Sequence, residues 1–68
     1  MFQLVYEYPN KTKVITSELD PEANMFKYET CAFYPNGSSS ILASFNDQTE
    51  AECYHQSIVE FLTSLKEF

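Results

Sequence analysis

Arginine is absent from this 68-residue chain, and four lysines are its only positively charged side chains at pH 7 against ten acidic ones. Arginine is the residue that most often binds phosphate or guanine through two hydrogen bonds. Neutralisation of phosphate also dominates nucleic-acid affinity. With a formal net charge of −6, we expect no direct binding to DNA or RNA and favour a protein partner with a basic surface.

Glycine, histidine, cysteine and tryptophan are also scarce, with one, one, two and no copies. A single glycine excludes a glycine-rich phosphate loop, and two cysteines are too few for a disulfide scaffold. No apolar run approaches the ~18 residues of a membrane span. The opening MFQLVYEY lacks the basic flank of a secretory signal. We therefore expect a cytoplasmic protein with reduced thiols and no membrane partner.

The residues that are present indicate one folded domain over residues 1–68. Apolar residues make up 44% of the chain and aromatic residues 16%, whereas disordered chains are poor in both. At this length roughly 60% of the unfolded surface can be buried, which is enough for one thin core.

The tripeptide YPN occurs twice, at residues 8–10 and 34–36, between runs rich in strand-forming residues. Proline suits the second position of a type I turn and asparagine the third. Gly37 follows the second copy, where a hairpin loop needs a positive φ, and Lys11 takes that place in the first copy at some cost. Each YPN therefore predicts a hairpin turn; turn chemistry and ancestral duplication both explain the repeat.

The first turn fixes a register in which Glu7 lies opposite Lys13 and Val5 opposite Ile15. In the second hairpin, the same reasoning places Cys31 opposite Ile41 and Glu29 opposite Ala43. Both faces of this hairpin are then apolar. One predicted face holds Met25, Cys31, Phe33, Ile41, Ala43 and Phe45, and the other holds Phe26, Tyr28, Ala32, Tyr34 and Leu42. A single helix can cover only one face, so we expect an exposed apolar patch.

The last third of the chain predicts an amphipathic helix. Asp47 with Glu50 resembles a capping box, and apolar residues recur at helical spacing in one stripe: Ala51, Tyr54, Ile58, Phe61, Leu62 and Leu65. The pattern predicts strands over 2–8, 12–19, 25–34 and 39–45 and a helix over 47–66. The expected fold is α+β, a four-stranded antiparallel meander of two YPN-turn hairpins packed against one C-terminal helix.

No residue set predicts catalysis, a cofactor or a metal. His55 lies about 60° from the centre of the apolar stripe and is interpreted as a residue at the core border. Cys53 and His55 point apart on a helix, so they do not form a metal-ligand pair. Cys53 falls on the polar side and is predicted to be exposed, whereas Cys31 is expected on an inward strand face. We therefore expect a protein that is not an enzyme.

Acidic side chains form several groups, of which a solvated surface is the ordinary interpretation. Glu52, Glu60 and Glu67 lie along one side of the predicted helix, about 10–12 Å apart. They suggest a negative surface that engages a basic groove. With the apolar hairpin they define the candidate partner-binding set: Tyr28, Phe33, Tyr34, Glu29, Glu52, Glu60 and Glu67.

Three functional hypotheses follow from these features. The first is a small acidic interaction module that binds and inhibits a larger protein, including one that handles nucleic acid. Many small phage and mobile-element proteins that inhibit host enzymes, including anti-CRISPR proteins, share this size, acidity and plan, without a motif in common. The second is an accessory or structural subunit, or a homodimer that pairs through its sheet. The third, a small enzyme, is the least favoured.

Overall fold

A computed structural model describes residues 2–65 and has the expected α+β architecture. Four strands precede one helix: β1 (Gln3–Glu7), β2 (Lys13–Glu18), β3 (Tyr28–Phe33), β4 (Ser39–Phe45) and α1 (Gln48–Ser64). The strands form one antiparallel sheet in the order β1-β2-β3-β4. The helix contacts all four strands, which confirms the predicted meander with one C-terminal helix.

The first YPN sequence forms the turn between β1 and β2. The Tyr8 N–H donates to the Thr12 carbonyl at 2.8 Å, and the Lys11 N–H donates to the Tyr8 carbonyl at 2.9 Å. The Asn10 Oδ1 accepts from the Thr12 N–H at 2.9 Å. Lys11 has a φ of 79°, a conformation that a side chain with a Cβ resists.

The second YPN sequence forms the turn between β3 and β4 with the same bonds. The Tyr34 N–H donates to the Ser38 carbonyl at 2.8 Å, and the Gly37 N–H donates to the Tyr34 carbonyl at 3.0 Å. The Asn36 Oδ1 accepts from the Ser38 N–H at 2.9 Å, and Gly37 has a φ of 89°. The two turns are thus built alike, and only the second has glycine where φ is positive.

The pairing of the first hairpin agrees with the prediction, since Glu7 lies opposite Lys13 and Val5 opposite Ile15. The predicted pairing of the second hairpin is wrong beyond Cys31 and Ile41. A β-bulge between Thr30 and Cys31 leaves Leu42 unmatched. A bulge adds one residue to one strand and reverses which side chains face each way after it.

The bulge changes the predicted faces of β4. Glu29 lies opposite Ser44, where the sequence predicted Ala43, and Tyr28 lies opposite Phe45. The Phe45 ring contacts the ring of Tyr54 on α1, with centroids 5.3 Å apart. Ala43 and Phe45 therefore belong to the face that the helix covers and not to the face of Cys31 and Ile41.

The connection between the two hairpins is longer than predicted, because β3 begins at Tyr28 and not at residue 25. Asp20 begins a turn in which its carbonyl accepts from the Ala23 N–H at 3.1 Å. Met25 and Phe26 lie in the bend before β3 and are 92% and 42% exposed. Neither residue extends the strand pair that the sequence indicated.

The core between the sheet and the helix is small and half polar. Its buried residues are the apolar Tyr8, Val14, Ala32 and Ala51 and the polar Thr12, Thr16, Thr30 and His55. Strand alternation places the side chains of Tyr8, Val14 and Thr16 on one face of the hairpin, and the helix lies over that face. Among residues 2–65, no helix covers the other face of the sheet.

The helix faces the sheet with most of its predicted apolar stripe, since Ala51 is buried and Tyr54, Ile58 and Leu62 are half-buried, but Phe61 and Leu65 lie outside the core. Asp47 caps α1 as expected, accepting from the Glu50 N–H at 3.1 Å. Ala51 and His55 are the buried helical residues, whereas Phe61 is 59% and Leu65 39% exposed. Placing Phe61 and Leu65 in the core was wrong. The side of the helix that faces the sheet is centred closer to His55, which the hydrophobic pattern treated as a border residue.

We expect Phe61→Ala to change the free energy of unfolding by less than about 1 kcal/mol, since an exposed side chain leaves no cavity when it is removed. Val14→Ala is the comparison, because Val14 is fully buried. Urea denaturation of both variants checks the expected order. A loss with Phe61→Ala equal to that with Val14→Ala would contradict this orientation of the helix.

Candidate protein-binding surface

The face of the sheet that the helix leaves uncovered carries an apolar row across all four strands. Val5 lies opposite Ile15, Ile15 opposite Cys31, and Cys31 opposite Ile41. Ile41 is 68% and Val5 55% exposed, while Ile15 and Cys31 in the middle of the row are half-buried. Neighbouring strands lie about 4.8 Å apart, so the row is a continuous stripe roughly 15 Å long.

A row of mainly polar residues borders the apolar row on each side. On one side, Phe33 adds a ring that is 41% exposed and lies between Lys13 and Ser39 in the pairing. On the other side, Glu29 lies between Ser17 and Ser44. We call this surface the open face and define it by Val5, Ile15, Cys31, Ile41, Phe33 and Glu29.

The structure divides the candidate partner-binding residues between two sides of the molecule. Phe33 and Glu29 belong to the open face. Tyr28 and Tyr34 are half-buried on the face under the helix, and the Tyr28 hydroxyl donates to Gln48 Oε1 at 3.5 Å. The predicted aromatic trio is therefore not one surface.

The acidic row of the helix lies across the sheet from the open face. Glu52 and Glu60 are both exposed on α1, where they accept hydrogen bonds from Gln48 and Gln56 at 3.2 and 3.4 Å. Glu67 lies outside the described residues. A flat partner surface can contact the open face or the helical acids, but not both.

The two thiols are on opposite sides of the sheet. Cys53 is exposed on the helix, as predicted. Cys31 lies on the open face, so its expected place on the helix-covered side is wrong. The Cys31 thiol donates to Glu29 Oε1 at 3.1 Å. Burial, this hydrogen bond and the charge of Glu29 raise the pKa of Cys31 to about 11, which leaves little thiolate at neutral pH.

We expect a thiol-reactive dye to label Cys53 rapidly and Cys31 slowly in the native protein. The reasons are the exposure of Cys53 and the small thiolate fraction of Cys31. Peptide mass spectrometry after short labelling measures the two rates, and labelling in denaturant provides the control. A freshly purified chain two mass units light, which indicates a Cys31–Cys53 bridge, would contradict this arrangement.

A chain of polar side chains crosses the core beneath the helix. The Thr16 Oγ1 lies 2.6 Å from the Thr30 Oγ1 and 2.8 Å from His55 Nδ1. All three residues are buried, so the placement of His55 at the core border was wrong. Among residues 2–65, every buried side-chain nitrogen or oxygen has a hydrogen-bond partner.

The pairing of Thr16 with His55 has the distance of a nucleophile and its base. Thr16 has no exposed surface, and residues 2–65 form no detectable pocket beside it. A substrate therefore has no path to the hydroxyl in this conformation. The geometry suits a structural hydrogen bond that positions the helix on the sheet.

Burial lowers the pKa of His55 below its ordinary value, so the native state favours the neutral ring. In that form, either Thr16 or Nδ1 can be the donor in their hydrogen bond. In the protonated ring, Nδ1 can only donate, so the Thr16 hydroxyl must accept from His55 and donate its own proton to Thr30. The unfolded chain binds a proton at higher pH than the native chain does, so the stability from the neutral ring is lost as pH falls below about 6.5.

We expect the urea midpoint to be lower at pH 5.5 than at pH 7.5, because the unfolded chain gains the His55 proton first. His55→Asn removes the titrating group and should reduce this difference. The comparison uses, for each protein, the change of the urea midpoint between the two pH values, so a lower overall stability of His55→Asn does not affect it. An unchanged difference would show that His55 is not the titrating group.

Thr16 and Thr30 are the structural residues that sequence reasoning missed. They lie opposite each other in β2 and β3, and the hydrophobic pattern treated both as ordinary strand positions. Only the pairing of β2 with β3, which no local motif sets, brings them together.

No cluster of three or more His, Cys, Asp or Glu side chains within residues 2–65 is arranged to hold a metal ion. In the same part of the chain, no helix is long and apolar enough to cross a membrane. Comparison with protein-family models, curated proteins and solved structures finds no significant match.

Proposed function

We propose that this chain is a non-enzymatic interaction module that binds a larger protein through the open face. The observation that carries the proposal is the apolar row from Val5 to Ile41, which crosses the whole sheet and which no element within residues 2–65 covers. Burying apolar surface contributes about 25 cal/mol per Å². A partner that covers the row gains this free energy of burial, whereas in the isolated domain Val5 and Ile41, at the two ends of the row, are exposed to water.

The chemistry of the open face favours a partner with apolar side chains at its centre. Phe33 provides an aromatic ring at the margin of the row, and aromatic residues are common among energetically dominant interface residues. Glu29 supplies a carboxylate beside Cys31. A basic side chain at the rim of the partner surface would pair with it.

The charge of the whole chain supports a basic partner. At −6, the protein attracts a basic surface over a Debye length of about 10 Å at 0.1 M salt. Such steering raises the association rate more than the affinity. We therefore expect association to slow as salt increases, with the apolar contact retained.

We further propose that binding at this face inhibits the partner. A compact domain with one apolar face and a strong negative field suits occlusion of a basic functional groove on a larger protein, including one that handles nucleic acid. This mode of action is the one that small anti-defence proteins of phages and mobile elements use, and the likeness is one of class.

The experiment is affinity capture of a partner from the native host with the tagged chain and two variants. Ile41→Asp places a charge on the exposed end of the row. Phe61→Asp is the matched control, because it makes the same change at an exposed residue on the helix. We expect Ile41→Asp to reduce recovery of the captured protein roughly tenfold or more and Phe61→Asp to retain it.

Three results would contradict the proposal. One is equal capture by both variants and the unmodified chain. Another is a loss confined to Phe61→Asp, which would place the binding surface on the helix. The third is sub-micromolar binding of the purified chain to DNA or RNA at physiological salt.

A further inference from the structure

The edge strand β4 and its flanks contain no charged residue, although the chain carries fourteen. The run from 37 to 46 reads GSSSILASFN. Edge strands expose unpaired backbone groups, and proteins usually protect them with charged residues or proline. The opposite edge, β1, has Glu7, but the first half of β4 has only serines and the exposed Ile41.

The hydrogen bonds of the second turn determine which backbone groups of β4 point outward. The Ser38 carbonyl accepts from Tyr34, so Ser38 faces β3. Backbone groups alternate along an antiparallel strand. Ser40 therefore also faces β3, while Ser39 and Ile41 direct their N–H and C=O groups to the free edge.

The bulge limits how far another strand can follow this edge. Leu42 is unmatched in the pairing with β3, which interrupts the ladder and increases the local twist. On the other side, the turn at Gly37 ends the strand. The usable edge is the short run from Ser38 to Ile41.

We propose that a second copy of this chain pairs with this edge, β4 against β4, in an antiparallel two-fold arrangement centred on Ser40. In this register Ser39 of each copy lies opposite Ile41 of the other, and the two Ser40 residues lie opposite each other. Ser39 and Ile41 of each copy then exchange backbone hydrogen bonds with Ile41 and Ser39 of the other. If the pairing of the two copies shifts by two residues in either direction, one of the hydrogen-bonded pairs falls in the turn or at the bulge and cannot form.

The absence of charge favours a second copy over a basic segment. Two chains of −6 repel each other, so self-association needs a surface from which carboxylates are absent, and the β4 edge is such a surface. A basic segment would find no carboxylate within residues 37–46 to pair with. The pairing also places the two apolar rows side by side, offset by two residues, since Ile41 ends the row in each copy and lies diagonal to Ile41 of the other. The result is one eight-stranded sheet with a longer open face.

Sedimentation velocity of the full chain up to about 100 μM tests the proposal. We expect a reversible species at twice the chain mass of 7.9 kDa. Ser39→Pro removes an outward N–H without removing a bond to β3, as edge positions tolerate. It should weaken dimerisation about tenfold or more.

Gln3→Pro is the matched control on the other edge. The Phe2 carbonyl accepts from the Glu18 N–H at 3.1 Å, so Gln3 is the next residue and points outward from β1. This variant should dimerise as the unmodified chain does. A urea midpoint for each proline variant shows whether it is folded before its mass is interpreted.

A cross-link tests the register itself. Residues that form a non-hydrogen-bonded antiparallel pair have Cα atoms about 4.5 Å apart, within the range that a disulfide spans. Ser40→Cys in a Cys53→Ser background should therefore form a disulfide-linked dimer on mild oxidation. Ser39→Cys in the same background should not, because its two copies are separated diagonally by more than about 7 Å.

A chain that stays monomeric at 100 μM overturns the proposal. A dimer that Ser39→Pro leaves intact, or one in which Ser39→Cys cross-links better than Ser40→Cys, overturns it too. The proposed binding of a larger protein at the open face does not depend on these outcomes. Its own test uses Ile41→Asp and Phe61→Asp.

Discussion

Replacing Thr16 by valine is expected to lower the free energy of unfolding by about 2–4 kcal/mol. The substitution preserves shape and removes the one hydroxyl that bonds to both Thr30 and His55. Each buried polar group left without a partner costs roughly 1–3 kcal/mol. A domain of this size has a total stability of roughly 3–10 kcal/mol, so the variant should be close to unfolding at room temperature.

Thr16→Ser is the matched control for that prediction. It keeps the hydroxyl and removes one methyl group, so its loss should be no more than about 1.5 kcal/mol. Urea denaturation at pH 7.5 measures both. Equal losses for the valine and serine variants would mean that the methyl contact, and not the hydrogen bonds, stabilises this part of the core.

Replacing Tyr8 by alanine should cost about 3–5 kcal/mol, the range for removing a large buried aromatic side chain. Tyr8 is 3% exposed, and its ring contacts that of Tyr6 with centroids 4.9 Å apart. Its hydroxyl donates to the Val59 carbonyl of α1 at 2.8 Å. The side chain therefore fills the core and joins the first hairpin to the helix.

Tyr8→Phe separates the two contributions. It keeps the ring and removes the hydroxyl, so the expected loss is about 1 kcal/mol. Thermal unfolding followed by circular dichroism compares the two variants. If the phenylalanine variant loses as much stability as the alanine variant, the hydrogen bond to α1 dominates and the packing argument is wrong.

The local features of the fold could be predicted because each depends on a few adjacent residues. The YPN turns follow from the fixed φ of proline and the side-chain oxygen of asparagine. The register of the first hairpin follows from its turn, and the start of the helix follows from Asp47. Even the positive φ of Lys11 was expected from its place in the turn.

The bulge in β4 could not be predicted in this way. It adds Leu42 between two strands that the turn had already aligned, and no glycine or proline marks it. Its consequence is large, because Ala43 and Phe45 exchange faces. The expectation of an exposed apolar face was correct, but Ala43 and Phe45, which were predicted on the face of Cys31 and Ile41, lie on the opposite face.

The position of His55 was missed for a different reason. A hydrophobic stripe assigns the inward side of a helix from apolar residues alone, and here a histidine satisfied by Thr16 lies on that side. A polar core residue is stable only when its partner is close. The partner is 39 residues away in sequence, so local periodicity has no information about it.

Alkylation of the two native thiols in the complex with the captured protein tests whether the open face is the binding surface. Cys31 lies in the apolar row and Cys53 on the exposed helix, so each reports on its own side of the sheet. We expect the partner to slow the modification of Cys31 severalfold and to leave the rate at Cys53 unchanged. Protection of Cys53 with an unchanged rate at Cys31 would contradict it.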